Sequence, residues 1–179
     1  MDNSLLSIDK DPMGQAIADF HKNGRADLLR VFSSQFEEDE ISVKQLFRTE
    51  AQMPAIEQKA LQMAEGRILD VGAGSGCHSL ALQQVGKEVL AIDISPLSVE
   101  TMESRGVRQV RQVNLFDESF CETFDTVLML MNGSAMLLNF EILSAIYRYW
   151  LTRSSKASIL SSNRTATSSD FSLITSPLG

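Results

Sequence analysis

The chain has 179 residues, of which 44% are apolar, 22% charged and 7% aromatic. These values sit near the soluble globular average and exclude a disordered, collagen-like or coiled-coil chain. Sixteen basic against 23 acidic side chains leave a net charge of −7, the wrong sign for a protein held to nucleic acid by phosphate contacts.

The length suits one domain with a single core. Cys77 and Cys121 are too few for a disulfide framework and do not form a CxxC pair. Two histidines in the whole chain leave a His/Cys metal site poorly supplied, so no metal is expected. The first eleven residues carry three aspartates and no basic-then-apolar leader. No apolar run approaches the roughly 20 residues of a membrane span, so a cytoplasmic setting away from membranes is the expectation.

Residues 1–66 hold 7 basic and 12 acidic side chains, with helix punctuation and no strand-like alternation. Asp11-Pro12 reads as an N-cap followed by proline at the first helical position, and Asn23-Gly24 as the stop. Met13, Ile17 and Phe20 give that helix one apolar face. The acidic run Glu37-Glu38-Asp39-Glu40 reads as a solvated loop or a helix start, with a cation-binding or basic-substrate patch as the minor reading. A second helix is predicted from Met53-Pro54 to Gly66, burying Ile56, Ala60 and Met63.

From residue 67 short apolar runs alternate with helical segments closed by glycine. Strands are predicted at Ile68 to Val71, Val89 to Ile92, Val107 to Val113 and Thr126 to Met131. One intervening helix runs through Leu80 and Leu82 to Val85, with Gly86 behind it. The other opens at Ser95-Pro96 and closes at Gly106. This order predicts an α/β, Rossmann-like, doubly wound and mostly parallel sheet behind a helical lead-in. Apolar strands such as Val127 to Met131 suit a sheet covered on both faces. Residues 140–150 can form a helix with Ile142, Ile146 and Tyr149 on one side, and Ala157 to Leu160 a fifth strand. The last 29 positions include nine serines and four threonines and read as weakly structured beyond that strand. The expected division is a lead-in over 1–66, a ligand-binding core over 67–161 and a hydroxyl-rich tail over 162–179.

The informative stretch is Ile68-Leu69-Asp70-Val71-Gly72-Ala73-Gly74-Ser75-Gly76, directly after a strand and directly before a helix. Glycines there permit a sharp turn and let a ligand lie against bare backbone. The following helix points its free N–H groups and positive dipole end to the same place. Asp93 ends the second strand at the sheet's C-terminal edge, where a carboxylate can accept hydrogen bonds from both ribose hydroxyls. A nucleoside-containing ligand accounts for both features. The dinucleotide fingerprint GxGxxG, begun at Gly72, needs glycine at position 77, where the chain has Cys77.

Asp70-x-Gly72-x-Gly74-x-Gly76 instead resembles motif I of the class I S-adenosylmethionine-dependent methyltransferases. Asp93 stands where that family's ribose-binding acid ends its second strand, and Phe124-Asp125-Thr126-Val127-Leu128 resembles the opening of its fourth. The lead-in, with Leu46-Phe47-Arg48, Met53-Pro54 and Glu57, is similar to an uncharacterised bacterial subgroup. The resemblance implies S-adenosyl-L-methionine as cofactor and methyl transfer as the activity. It places Gly72, Ala73, Gly74 and Gly76 along the methionine and ribose moieties, and Asp70 in support of the amino group. It gives the ribose to Asp93, the adenine face to Ile94, and the adenine surround to Asn114 and Leu115. Asn132 would face the sulfonium and the acceptor. Arg48 is a candidate for the cofactor carboxylate, although a surface position is the commoner fate of such an arginine.

Methyl transfer from a sulfonium needs alignment and desolvation first, and a general base only when the acceptor must lose a proton early. No residue is named as that base. His78 reads as packing or capping the glycine-loop helix, and His21 as a structural or lid residue near a helix C-terminus. Asn132-Gly133-Ser134-Ala135 lacks the proline-fixed tetrapeptide typical of amino-group methylases of nucleic acid bases or glutamine. A small-molecule acceptor and no stable nucleic-acid partner are therefore expected, and the oligomeric state is left open. Beyond Ser161 the sequence departs from the family, which continues to an antiparallel strand pair. A truncated or altered C-terminus is the expectation there. Two other readings remain: a methyltransferase-like protein that binds cofactor without turnover, and a nicotinamide-dependent oxidoreductase, against which the Gly76/Cys77 spacing argues.

Overall fold

The computed structural model describes residues 5–25, 29–31, 39–117, 119–130, 158–161 and 172–175. Helix α1 is Pro12–Asn23. The Asp11 side chain caps it by accepting the Gly14 N–H at 2.8 Å, and Gly24 closes it in the left-handed region. Strands β1 (Leu29–Val31) and β2 (Asp39–Ile41) pair antiparallel. The lead-in thus contains a short strand pair where helix alone was expected, and the end of the acidic run lies in β2. Three-residue strands are too short to show an alternation in sequence.

Helix α2 (Ala55–Met63) ends three residues before Gly66. Its buried positions are Glu57, Ala60 and Leu61, while Ile56 and Met63 are half-buried. The expected apolar face is therefore rotated toward a carboxylate. Lys87 explains the stop, since its Nζ donates to the carbonyls of Leu61 at 2.8 Å and Ala64 at 2.7 Å, placing a cation at the negative helix end. Lys87→Met is expected to lower stability by about 1–2 kcal/mol, read as a fall in the midpoint of denaturant unfolding with unchanged slope.

The main sheet follows the predicted alternation. Strands β3 (Arg67–Val71), β4 (Glu88–Asp93), β5 (Val110–Gln112), β6 (Thr126–Met129) and β7 (Ser158–Ser161) are joined in parallel, and β8 (Ser172–Thr175) is antiparallel to β7. The spatial order is β5-β4-β3-β6-β7-β8, so the winding reverses between β3 and β6. Period-two alternation divides each strand between the faces. Ile68, Val89 and Leu128 pack with α2 and with helix α3 (Cys77–Gln84), while Leu69, Leu90 and Val127 pack with Phe120 and Phe124.

Helix α4 (Pro96–Ser104) starts where predicted, its cap Ser95 accepting the Ser98 N–H at 2.9 Å. Strand β5 is shorter than expected. Val107 instead closes the turn after α4, its N–H bonded to the Met102 carbonyl at 3.0 Å, and packs with Met102 and Ala73. Strand β8 is a second departure, because a hydroxyl-rich segment was expected to be weakly structured. Its Ile174 and Leu173 stand opposite Ile159 and Leu160, and a partner strand supplies what composition does not reveal. The helix expected over 140–150, Asn132, and residues 162–171 and 176–179 of the tail lie outside the described residues. Among the described residues no helix is long and apolar enough to cross a membrane, and no cluster of His, Cys, Asp and Glu is placed to hold a metal ion.

Candidate cofactor site

Ligands of open α/β sheets bind beyond the carboxyl ends of the strands where the winding reverses, and here that point lies above β3. The chain leaves β3 at Val71 and turns through the glycine loop into α3. Gly74 and Gly76 adopt φ of 57° and 79°, a region side chains rarely enter. A Cβ at Gly76 would stand 2.9 Å from Val107 Cγ2 and 3.0 Å from Met102 Cγ, so this glycine also seats α3 against α4. The loop is tied to β4, because the N–H groups of Gly72 and Ala73 donate to the Ile92 carbonyl at 2.9 and 3.1 Å.

Asp93 ends β4 facing that loop. Its Oδ2 accepts the Gly74 N–H at 2.9 Å and its Oδ1 the Ser95 N–H at 2.9 Å. Burial raises its pKa; the backbone bonds from Ser95 and Gly74 oppose that rise, and the nearby Asp11 charge adds to it. Each carboxylate oxygen keeps a further lone pair after these bonds.

A cavity of about 250 Å³ opens over the loop. Gly72, Ala73, Gly74, Asp93 and Ile94 form its floor, and Leu6, Met13, Ile17 and Leu46 its cover. The cover is fastened at several points. The Leu6 N–H donates to the Ile94 carbonyl at 3.3 Å, and the buried Asp11 accepts the Ser95 hydroxyl at 2.5 Å. Ser75 Oγ donates to the Leu46 carbonyl, and Arg105 reaches Ser75 Oγ at 2.8 Å while lying over the Phe47 ring. His21, on the surface of α1, is bonded to Ser104 Oγ at 2.9 Å and stacks on Phe47. The described part of the lead-in thus covers the cavity, and His21 is one of the contacts that hold it there.

Beneath the loop lies a buried charge cluster. Glu57 Oε2 accepts from Arg48 Nη2 and is bonded to His78 Nε2 at 2.9 Å, and the three side chains are 6–10% exposed. Burial alone pushes the His78 pKa down, but the Cys77 sulfur, the Glu57 carboxylate and the Asp70 charge together raise it to about 10. Glu57 is disfavoured by burial, yet its bonds to His78 and Arg48 hold its pKa below the usual 4.5. Asp70, on the β3 face that meets α3, accepts Ser79 Oγ at 2.6 Å, and burial raises its pKa.

The loop glycines, Ala73, Asp93 and Ile94 are therefore brought together, Gly76 sitting just behind them as the residue before α3. Asp70, Asn114 and Leu115 are near but do not line the cavity. Asn114 Oδ1 accepts the Phe116 N–H at 3.0 Å, and Leu115 packs with Val71 and Phe120 under the sheet. Asp11, Ser95, Cys77 and His78 line the cavity without having been named as site residues. Asp11 and Ser95 were legible as helix caps, and helix N-termini gathered at a glycine loop are the signal that could have promoted them.

These residues fit S-adenosylmethionine: a carboxylate for a ribose diol at the strand end, side-chain-free backbone beside it, and an apolar cover. Residues 68–150 match the methyltransferase-domain family. A SAM-dependent methyltransferase from Bacteroides fragilis, solved with S-adenosylhomocysteine, is 61% identical. The match covers 89% of this chain and 67% of that one, with a TM-score of 0.81. The chain belongs to the class I S-adenosylmethionine-dependent methyltransferases. The cypemycin N-terminal methyltransferase of Streptomyces is 39% identical to this methyltransferase over 72 residues, a stretch spanning 38% of the chain and 29% of that relative. Streptomyces venezuelae DesVI, 14% identical with a TM-score of 0.53 over 66% of this chain and 53% of its own, shares the fold.

Proposed function

We propose that this methyltransferase moves the methyl group of S-adenosylmethionine to a small organic acceptor by in-line displacement. The observation that supports it best is Asp93, held open toward the cavity by the Gly74 and Ser95 N–H groups at the end of β4. When bound, the cofactor supplies an activated methyl on a sulfonium, which leaves little covalent chemistry for the protein. Asp93 accepts the ribose hydroxyls and Ile94 packs on the adenine. Asn114 and Leu115, beside the described cavity lining, take the adenine surround. The loop glycines admit the methionine end, and Leu6, Met13, Ile17 and Leu46 exclude water. Orientation and desolvation of this kind can supply up to about 7–11 kcal/mol of a barrier.

We favour a neutral amine as the acceptor. His78 keeps its proton up to about pH 10, and Asp11 and Asp93 are already engaged. These engagements favour an acceptor that needs no deprotonation before transfer, such as a neutral amine. The Streptomyces relative is named as an N-terminal methyltransferase, which favours the same class. Calorimetry with S-adenosylhomocysteine, followed by transfer of labelled methyl to a panel of amines, peptide N-termini, alcohols and carboxylates, tests both steps. Binding followed by transfer to amines is expected. Absence of cofactor binding would overturn the reading. Tight binding with no transfer to any acceptor would leave a cofactor-binding protein instead.

A further inference from the structure

The Arg48–Glu57–His78 cluster is more elaborate than a core requires. Buried ion pairs are often no better than apolar residues of similar volume, and this one sets two cations against one carboxylate. Arg48 is nine-tenths buried, and its Nε–H has no hydrogen-bond partner among the described residues, a rare state for a buried donor. The cluster also has a direction. Of its three members, His78 lines the cavity, whereas Arg48 and Glu57 stand behind it. His78 is the one basic side chain among the described lining residues, opposed by Asp11 and Asp93 near the starts of α1 and α4.

We propose that His78 is the receptor for the carboxylate at the cofactor's amino-acid end, with Glu57 and Arg48 as the residues that position and charge it. This deepens the proposed function and rests on it. The other charged groups facing the ring agree with the assignment. Glu57 from α2 takes Nε2, which fixes the ring. The remaining hydrogen-bond neighbour is the Cys77 sulfur at the start of α3, a weak acceptor that a carboxylate outcompetes. Asp70 faces the ring from β3, but its carboxylate is bonded to Ser79 and does not reach the cavity. The positive end of α3 adds to the field at the same point. The structure thus transfers to His78 the contact that the sequence offered to Arg48, and leaves Arg48 the supporting charge.

Three ligands test this by calorimetry: S-adenosylhomocysteine, its decarboxylated analogue, which keeps the amine, and 5′-methylthioadenosine, which lacks the whole amino-acid end. The unaltered protein is expected to bind S-adenosylhomocysteine at least tenfold more tightly than the decarboxylated analogue. His78→Gln and Arg48→Gln are each expected to weaken S-adenosylhomocysteine at least tenfold and to leave 5′-methylthioadenosine within twofold. Equal affinity of the unaltered protein for the first two ligands overturns the proposal, with no variant needed. Parallel losses for all three ligands in the variants also overturn it, because a merely structural cluster would behave that way. Failure of the unaltered protein to bind S-adenosylhomocysteine at all would instead remove the proposed function beneath it.

Discussion

Glu57→Gln is expected to lower the unfolding free energy by about 3–5 kcal/mol near neutral pH, the usual cost of removing one partner from a buried ion pair. The glutamine fills the same space but strands the Arg48 guanidinium and the His78 imidazolium side by side, each at least nine-tenths buried. The deficit should depend on pH in a defined direction. His78 has a folded-state pKa near 10 against 6.5 in the unfolded chain. Its protonation therefore contributes stability fully below about pH 6.5 and loses it as pH rises through 10. Without Glu57 that pKa falls, so the variant has less of this contribution to lose. Urea titrations at pH 6.5 and pH 9.5 should show the gap between parent and variant narrowing at the higher value. A gap that does not change with pH would mean that Glu57 acts by packing and neutral hydrogen bonding alone.

Asp93→Ala is expected to weaken S-adenosylhomocysteine binding at least a hundredfold, because the carboxylate does two jobs at once. It would accept the ribose hydroxyls, and it already holds the Gly74 and Ser95 N–H groups that shape the floor of the cavity. Each stranded donor costs about 1–3 kcal/mol, so the variant should also unfold at lower denaturant concentration. Asp93→Asn keeps one acceptor oxygen and should fall between the two. The raised pKa of Asp93 adds that affinity should begin to decline on acidification at a higher pH than an ordinary aspartate would give. Cofactor affinity that survives Asp93→Ala while stability drops would reduce Asp93 to a clasp for the loop.

Much of the fold was legible because local punctuation and tertiary structure agree. Asp11-Pro12 and Gly24 bound α1, Ser95-Pro96 opens α4, and the apolar runs at 68–71, 89–92 and 126–129 become the sheet centre. The glycine loop and Asp93 were legible for the same reason, since each sits at an element boundary whose signals are local. The charge cluster was not. Glu57 lies 9 residues from Arg48 and 21 from His78, and the packing of α2 and of the segment before it against α3 brings them into one place. The rotation of α2 follows from that pairing, because a buried glutamate breaks the apolar stripe by which a helix face is judged. Strands β1, β2 and β8 escaped because each is three or four residues long and takes its definition from a partner. Asn114 and Leu115 are placed at the adenine by resemblance alone; the structure sets them beside the cavity, with Asn114 Oδ1 accepting the Phe116 N–H and Leu115 in the core.

The position of β3 in the middle of the sheet also bears on how the chain comes into being. One of its flanks pairs with β4, made directly after it, but the other must wait for β6. The Arg67 N–H finds the Asp125 carboxylate 58 residues further on, an interval of roughly 3–12 s at ordinary rates of synthesis. During that interval the apolar residues of the strand that anchors the glycine loop have one side without a partner. The nascent chain thus carries an unpaired strand edge at the element on which the finished site depends, and contacts of such sequence separation are the slow ones to form.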